Sequence, residues 1–145
     1  MFLLYDIAFI IFAICYLPVF VFRKKYQSKF KMKFGFLSSS LVRKLREREL
    51  VWIHAVSVGE VIAAKPLIDR LRAHFTDCKI VISTVTRTGN DIARSIAKEN
   101  DLVMYLPFDI SFIVKRVFRK TRIRAFVIVE TELWPNLIQT LRRKK

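Results

Sequence analysis

Leu50-Val51-Trp52-Ile53-His54-Ala55-Val56-Ser57-Val58-Gly59-Glu60 begins apolar and ends on small and polar residues. Residues 51–57 form an apolar run of strand length, and then the period changes. Across residues 60–75 the apolar side chains Val61, Ala64, Leu67, Ile68 and Leu71 recur at the spacing of one helix face. Pro66 lies inside that helix, where a missing N–H can bend it. A strand that turns directly into a helix is the opening of a βαβ unit.

The same alternation continues toward the end of the chain. Residues 79–86 read as a second strand, rich in Val, Ile and Thr. Residues 89–99 read as a helix with Ile92, Ala93, Ile96 and Ala97 on one face, and 102–106 as a third strand. Asp109 suits the N-cap of a helix whose face carries Ile110, Ile113, Val114, Val117 and Phe118. Residues 125–129 form a fourth strand, and Pro135 starts a helix over 135–142 that leads into a basic tail. Strands alternating with helices of this length predict an α/β domain with a parallel sheet and right-handed crossovers. The strands are apolar throughout rather than alternating, as expected when helices cover both faces.

Upstream, residues 1–22 are almost wholly apolar, with Asp6 the one charge and Pro18 near the end. About 22 helical residues reach roughly 33 Å, close to a bilayer core. Arg23, Lys24 and Lys25 follow at once and place the downstream chain on the cytoplasmic side. The segment is read as a membrane anchor, spanning or monotopic, because Asp6 and Pro18 both weaken a span. Residues 23–49 mix basic and aromatic side chains, including Lys31, Lys33, Phe34 and Phe36, and the serines at 38–40 break the run. This stretch is read as a linker facing lipid headgroups, with electrostatic adhesion as its simplest role and capture of a phosphorylated headgroup as the sharper one. Residues 50–145 are then the α/β domain.

Composition narrows the partners. Lys and Arg number 27 against 12 Asp and Glu, a net charge of +15, which points to a polyanionic partner. The hydrophobic fraction of 53% fits a disordered nucleic-acid tail poorly. Cys15 and Cys78 form no CxxC pair, and His54 and His74 have no ligands at metal spacing. The pattern therefore predicts no metal site, redox pair or disulfide framework, and two free thiols suit a reducing compartment.

Ligands of open α/β sheets bind beyond the carboxyl ends of the strands. Four polar segments fall there: Ser57-Val58-Gly59-Glu60, Thr86-Arg87-Thr88-Gly89, Pro107-Phe108-Asp109, and Glu130-Thr131-Glu132-Leu133-Trp134-Pro135-Asn136. Ser57 and Glu60 have capping-box spacing, and Glu60 is also placed to act as a general base. Gly59 and Gly89 either form tight βα turns or let a ligand approach the backbone. Arg87 is either a phosphate or carboxylate ligand or a solvated surface charge. Glu130 and Glu132 end a buried strand, which needs partners for them or a helix to cap.

Taken together, His54-Ala55-Val56-Ser57-Val58-Gly59-Glu60, Ser83-Thr84-Val85-Thr86-Arg87-Thr88-Gly89, Tyr105-Leu106-Pro107-Phe108-Asp109 and Glu130-Thr131-Glu132-Leu133-Trp134-Pro135-Asn136 resemble the 3-deoxy-D-manno-octulosonic acid (Kdo) transferases of lipopolysaccharide synthesis. The blocks come in the family's order, and Gly35-Phe36 resembles its linker. The resemblance implies the N-terminal, Rossmann-like half of a GT-B glycosyltransferase at the inner membrane, with its catalytic domain on the cytoplasmic face. It implies transfer of Kdo from CMP-Kdo to lipid IVA, a lipid A precursor, with inversion and with neither metal nor cofactor. Carried over residue by residue, Glu60 is the proton acceptor and Glu130 the transition-state stabiliser. The acceptor side is expected to use Ser57, Gly59, Arg87, Gly89 and Glu132, joined by Lys31 and Lys33 of the basic stretch. The donor is expected to need a second domain with no counterpart in these 145 residues, so the chain is expected to be incomplete and doubtful as a catalyst alone. The competing class is a non-catalytic, membrane-tethered basic module for anionic lipid or nucleic acid. Nucleic acid is disfavoured because Glu60, Glu130 and Glu132 would repel phosphate at the strand ends.

Overall fold

A computed structural model of the chain describes residues 4–7, 10, 11, 31–119 and 121–143. A helix not expected from the sequence, α1 (Ser39–Glu47), comes first, and from Leu50 onward strands and helices alternate as the periodicity predicts: β1 (Leu50–His54), α2 (Val58–His74), β2 (Lys79–Thr84), α3 (Arg87–Ile96), β3 (Leu102–Tyr105), α4 (Ser111–Phe118), β4 (Ile123–Ile128) and α5 (Pro135–Arg142). The four strands make one parallel sheet in the order β3-β2-β1-β4. Leu50–His54 is thus a central strand, with β2 on one side and β4 on the other. Every residue of β1 is buried, the physical reason it reads as an unbroken apolar run.

The chain forms two compact units. The sheet unit comprises Leu37–Leu106 and Lys120–Glu132, and a helical unit comprises Met1–Phe36, Pro107–Arg119 and Leu133–Lys145. In the sheet unit, Val51, Ile53 and Ala55 of the first strand and its exit join Ile80 and Ile82 of β2. Val61, Ala64 and Ile68 of α2 and Ala93 of α3 complete this core. Each Val or Ile side chain among them contributes roughly 1.5–3 kcal/mol on burial. Leu67, expected on this face, is instead 41% exposed. Pro66 does not interrupt α2, which runs through it. The Ile62 carbonyl that a proline at 66 leaves without a helical donor belongs to an exposed residue, so water can satisfy it. At the opposite parity of β1, Trp52 stacks on Phe126 of β4 with centroids 5.7 Å apart.

Part of the stretch read as a linker is helical. Ser38 caps α1 by accepting a hydrogen bond from Leu41 N, so the serines mark a helix start rather than a break. Lys79 ties α1 to β2 through Glu47 at 3.0 Å.

In the helical unit, residues 31–33 end in a Schellman cap. Phe36 N donates to Lys31 O, and Gly35 N donates to Met32 O. Gly35 has φ +77°, and a Cβ there would lie 3.2 Å from Ile113 and 3.3 Å from Val117 of α4, so both backbone and packing call for glycine. Asp109 is not the N-cap of α4. That position is Ile110, with no side-chain cap. Asp109 turns instead to α5, where its two oxygens accept from Asn136 N at 3.0 Å and Leu137 N at 2.8 Å. Ser111 N of α4 donates to Asp6, which also accepts from the Asn136 amide at 2.8 Å. A carboxylate serving the wrong helix was invisible to a local capping rule because its partners lie 27 and 28 positions away.

Most of the proposed anchor, including Cys15 and Pro18, lies outside the described residues, as do Arg23, Lys24 and Lys25. Among the described residues no helix is long and apolar enough to cross a membrane.

Candidate active site at the strand ends

The carboxyl ends of β2, β1 and β4 lie side by side in the sheet unit. Backbone bonds continue past the ladder and lock these ends together. Ala55 N donates to Ser83 O and Val129 N to His54 O, each at 3.0 Å. The Val56 carbonyl accepts from Val85 N, Thr86 N and the Thr86 hydroxyl. Thr86 is also the N-cap of α3, its oxygen accepting from Gly89 N at 3.1 Å.

Ser57 and Glu60 form the capping box that their spacing predicts. The Glu60 carboxylate goes further than a cap requires. One oxygen accepts from Val56 N at 2.7 Å, and the other accepts from the Ser57 hydroxyl at 2.7 Å and from Ser57 N at 3.2 Å. Three donors on a half-buried carboxylate fix its orientation. A carboxylate offers about four acceptor sites, so one remains for a substrate proton.

Beneath this turn lies a polar chain that motif reading alone had left without a role. His54 is fully buried, and its Nδ1 sits 3.0 Å from both the carbonyl and hydroxyl oxygens of Ser83. The Ser83 hydroxyl accepts from Trp52 Nε1 at 2.8 Å. Burial lowers the His54 pKa to about 4, against the opposing influence of its bond to Ser83 and the nearby Glu60 charge. The imidazole is therefore neutral at physiological pH. One sequence signal pointed here: a histidine and a serine at matching positions of two apolar strands need each other once buried.

The two glycines have different physical roles. A Cβ at Gly89 would sit 2.8 Å from Thr86 Oγ1 and 3.2 Å from backbone atoms of Val56 and Ser57. Gly89 is thus required by the close meeting of two strand-end loops, the tight-turn alternative. A Cβ at Gly59 would meet nothing within 4 Å among the described atoms, leaving open space above the turn. Gly89→Ala is expected to destabilise the protein by about 1–3 kcal/mol, whereas Gly59→Ala, inside a helix, should stabilise it by about 0.5–1 kcal/mol. Thermal unfolding of the two variants tests this, and shifts of the same sign would contradict it.

The other candidate residues are more dispersed. Glu130 lies two residues past the end of β4 and is exposed, while Glu132 is half-buried and its N–H donates to Glu130 O at 2.8 Å. Arg87 sits in the first turn of α3 in an exposed pairing with Asp91 at 3.8 Å, which matches the solvated-charge alternative. Lys31 and Lys33 belong to the helical unit. Lys31 is exposed, but Lys33 is half-buried with its Nζ 6.0 Å from the centre of the Phe108 ring, and burial lowers its pKa. Among the described residues no three His, Cys, Asp or Glu side chains cluster as metal ligands. A pocket of about 240 Å³ lined by Arg48, Arg72, Lys79 and Lys98 opens at the other end of the sheet, beside Lys79 where β2 begins.

Residues 28–145 match the protein family described as 3-deoxy-D-manno-octulosonic-acid transferase. The chain belongs to the Kdo transferase family. Among curated members, the Kdo transferase of Haemophilus influenzae is 32% identical over 117 residues, covering 81% of this chain and 27% of that protein. The Kdo transferase of Chlamydia trachomatis serovar D is 32% identical over 123 residues, covering 84% of this chain and 28% of its own length. A bifunctional glycosyltransferase/methyltransferase of Fusobacterium nucleatum is 35% identical over 102 residues, 69% of this chain and 16% of that protein. The chain thus spans 27%, 28% and 16% of the length of these three relatives.

Proposed function

We propose that the chain provides the acceptor-binding, N-terminal half of a GT-B glycosyltransferase that moves Kdo from CMP-Kdo to lipid IVA in lipopolysaccharide synthesis. The observation that supports this most is the gathering of the Glu60 turn, the Thr86–Gly89 turn and Glu130 at the ends of three adjacent parallel strands. The acceptor hydroxyl oxygen attacks the anomeric carbon of Kdo, and CMP leaves with the electron pair of the broken bond, inverting that carbon. The hydroxyl proton grows acidic as the new bond forms, and a carboxylate held in place by three donors, with one acceptor site left over, can take it. Glu60 is that acceptor, and Glu130 steadies the charge that develops in the transition state. The reaction as read uses no metal. The donor binds chiefly to a second domain, and residues 1–22 hold the protein at the cytoplasmic face of the inner membrane.

The test is a transfer assay with CMP-Kdo and lipid IVA, in a preparation that contains this chain together with a donor-binding domain. Formation of Kdo–lipid IVA, dependent on the chain, is expected. Transfer from a different activated sugar, with CMP-Kdo left intact, would contradict the reading. The 145-residue chain alone is expected to show no turnover.

A further inference from the structure

The peptide unit joining Val56 to Ser57 links the two turns at the ends of β1 and β2. On one edge, its N–H donates from Ser57 to the Glu60 carboxylate at 3.2 Å. On the other edge of the planar unit, its carbonyl oxygen accepts from the Thr86 hydroxyl at 3.1 Å. The same oxygen accepts from Thr86 N at 3.2 Å and Val85 N at 3.3 Å. One rigid plane therefore holds Glu60 and is itself held by Thr86. A plane fixed at its carbonyl cannot swing its N–H away from the carboxylate. Donors on that carbonyl also polarise the amide and strengthen its N–H as a donor.

The Thr86 hydroxyl is fully committed to this arrangement. Its single proton goes to Val56 O, and its oxygen accepts from Gly89 N at 3.1 Å in the first turn of α3. An N-cap needs only the bond from Gly89, so the bond across to Val56 is additional. Thr86 is in turn anchored from behind. Its carbonyl accepts from Asn90 N at 3.0 Å and from the Thr84 hydroxyl at 3.4 Å. The buried Asn90 amide donates to Thr84 Oγ1 at 3.2 Å and to Met104 O of β3 at 3.3 Å. The hydroxyl that meets the Glu60 turn is thus tied to two neighbouring strands.

We propose that Thr86 is a positioning residue for the transfer reaction, its hydroxyl aiming the Glu60 carboxylate through the Val56–Ser57 peptide. The role rests on the reading of Glu60 as proton acceptor and adds the side chain that directs it. A slight misdirection of that carboxylate slows the chemical step and leaves acceptor binding nearly intact.

The test measures transfer from CMP-Kdo to lipid IVA by the complete transferase, with thermal unfolding alongside. Thr86→Val keeps the side-chain shape and removes the hydroxyl. It should lower kcat on the order of tenfold while the KM for lipid IVA stays within about twofold. Thr86→Ser restores the hydroxyl and should keep kcat within about twofold of wild type. Thr86→Asp keeps the cap of α3, since Asp suits an N-cap, but its carboxylate has no proton for Val56 O. It should lose kcat as well, and it serves in place of the valine variant if that one does not fold. Asp101→Asn weakens an ion pair with Arg72 just before β3, at the opposite end of the sheet. It should lower the melting temperature and leave kcat unchanged. Wild-type kcat in Thr86→Val or Thr86→Asp, with turnover lost in Glu60→Gln, overturns the positioning role. A loss in Thr86→Ser as deep as in Thr86→Val also overturns it, as does a matching loss in Asp101→Asn. Wild-type kcat in Glu60→Gln removes the proton-acceptor reading itself and this role with it.

Discussion

Glu60→Gln is expected to lower turnover of the complete transferase by on the order of 10²-fold or more, with little change in acceptor binding. The amide keeps the size of the carboxylate but cannot take a proton. Its carbonyl can still accept from Val56 N, and the Ser57 hydroxyl can rotate to accept from the amide nitrogen, so most of the present bonding survives. Stability should therefore fall by no more than about 1 kcal/mol. Ser57→Ala provides the comparison. It breaks the capping box but keeps the carboxylate, so it should cost about 1 kcal/mol of stability while reducing turnover far less than Glu60→Gln. Equal turnover for wild type and Glu60→Gln, with both substrates saturating, would leave Glu60 with the capping role alone.

The second large effect concerns pH and His54. Its folded-state pKa of about 4 lies below the ordinary 6.5, chiefly because the ring is buried. Between those values the unfolded chain binds more protons at this site than the folded one. Stability from this group is therefore complete above pH 6.5 and is lost as pH falls toward 4, by about 3 kcal/mol in all. Asp109, whose pKa burial raises, acts in the opposite sense, so the informative quantity is a difference between proteins. Denaturant unfolding of wild type and His54→Gln between pH 4 and 7 should show a steep dependence in the first and a much flatter one in the second. Parallel curves would mean that His54 is not the group being titrated.

Much of the sheet unit was legible because its signals are local. The strand read over 51–57 is β1 as far as His54, legible because every residue of β1 is buried, and Ser57 with Glu60 read as a cap since the two lie within one helical turn. What escaped were interactions between residues distant in sequence. Asp109 looked like the cap of the helix that follows it, but Asn136 and Leu137 of α5 claim its oxygens. Leu67 matched the helical period yet faces outward, because Val61, Ala64 and Ile68 already complete the buried stripe of α2. The role of His54 depends on register, since only the pairing of β1 with β2 sets it opposite Ser83. Gly59 and Gly89 are alike as letters in a motif, and only the surrounding atoms separate open space from close packing.

The central claim is that the ends of β1, β2 and β4 receive the acceptor hydroxyl beside Glu60. A structure of the complete enzyme with lipid IVA and an unreactive donor analogue measures this directly. The account predicts the attacking hydroxyl within roughly 2.6–3.2 Å of a Glu60 carboxylate oxygen, or joined to it through one water. A reacting hydroxyl bound to another side chain, with Glu60 still closed on Val56 and Ser57 and out of reach, would contradict it.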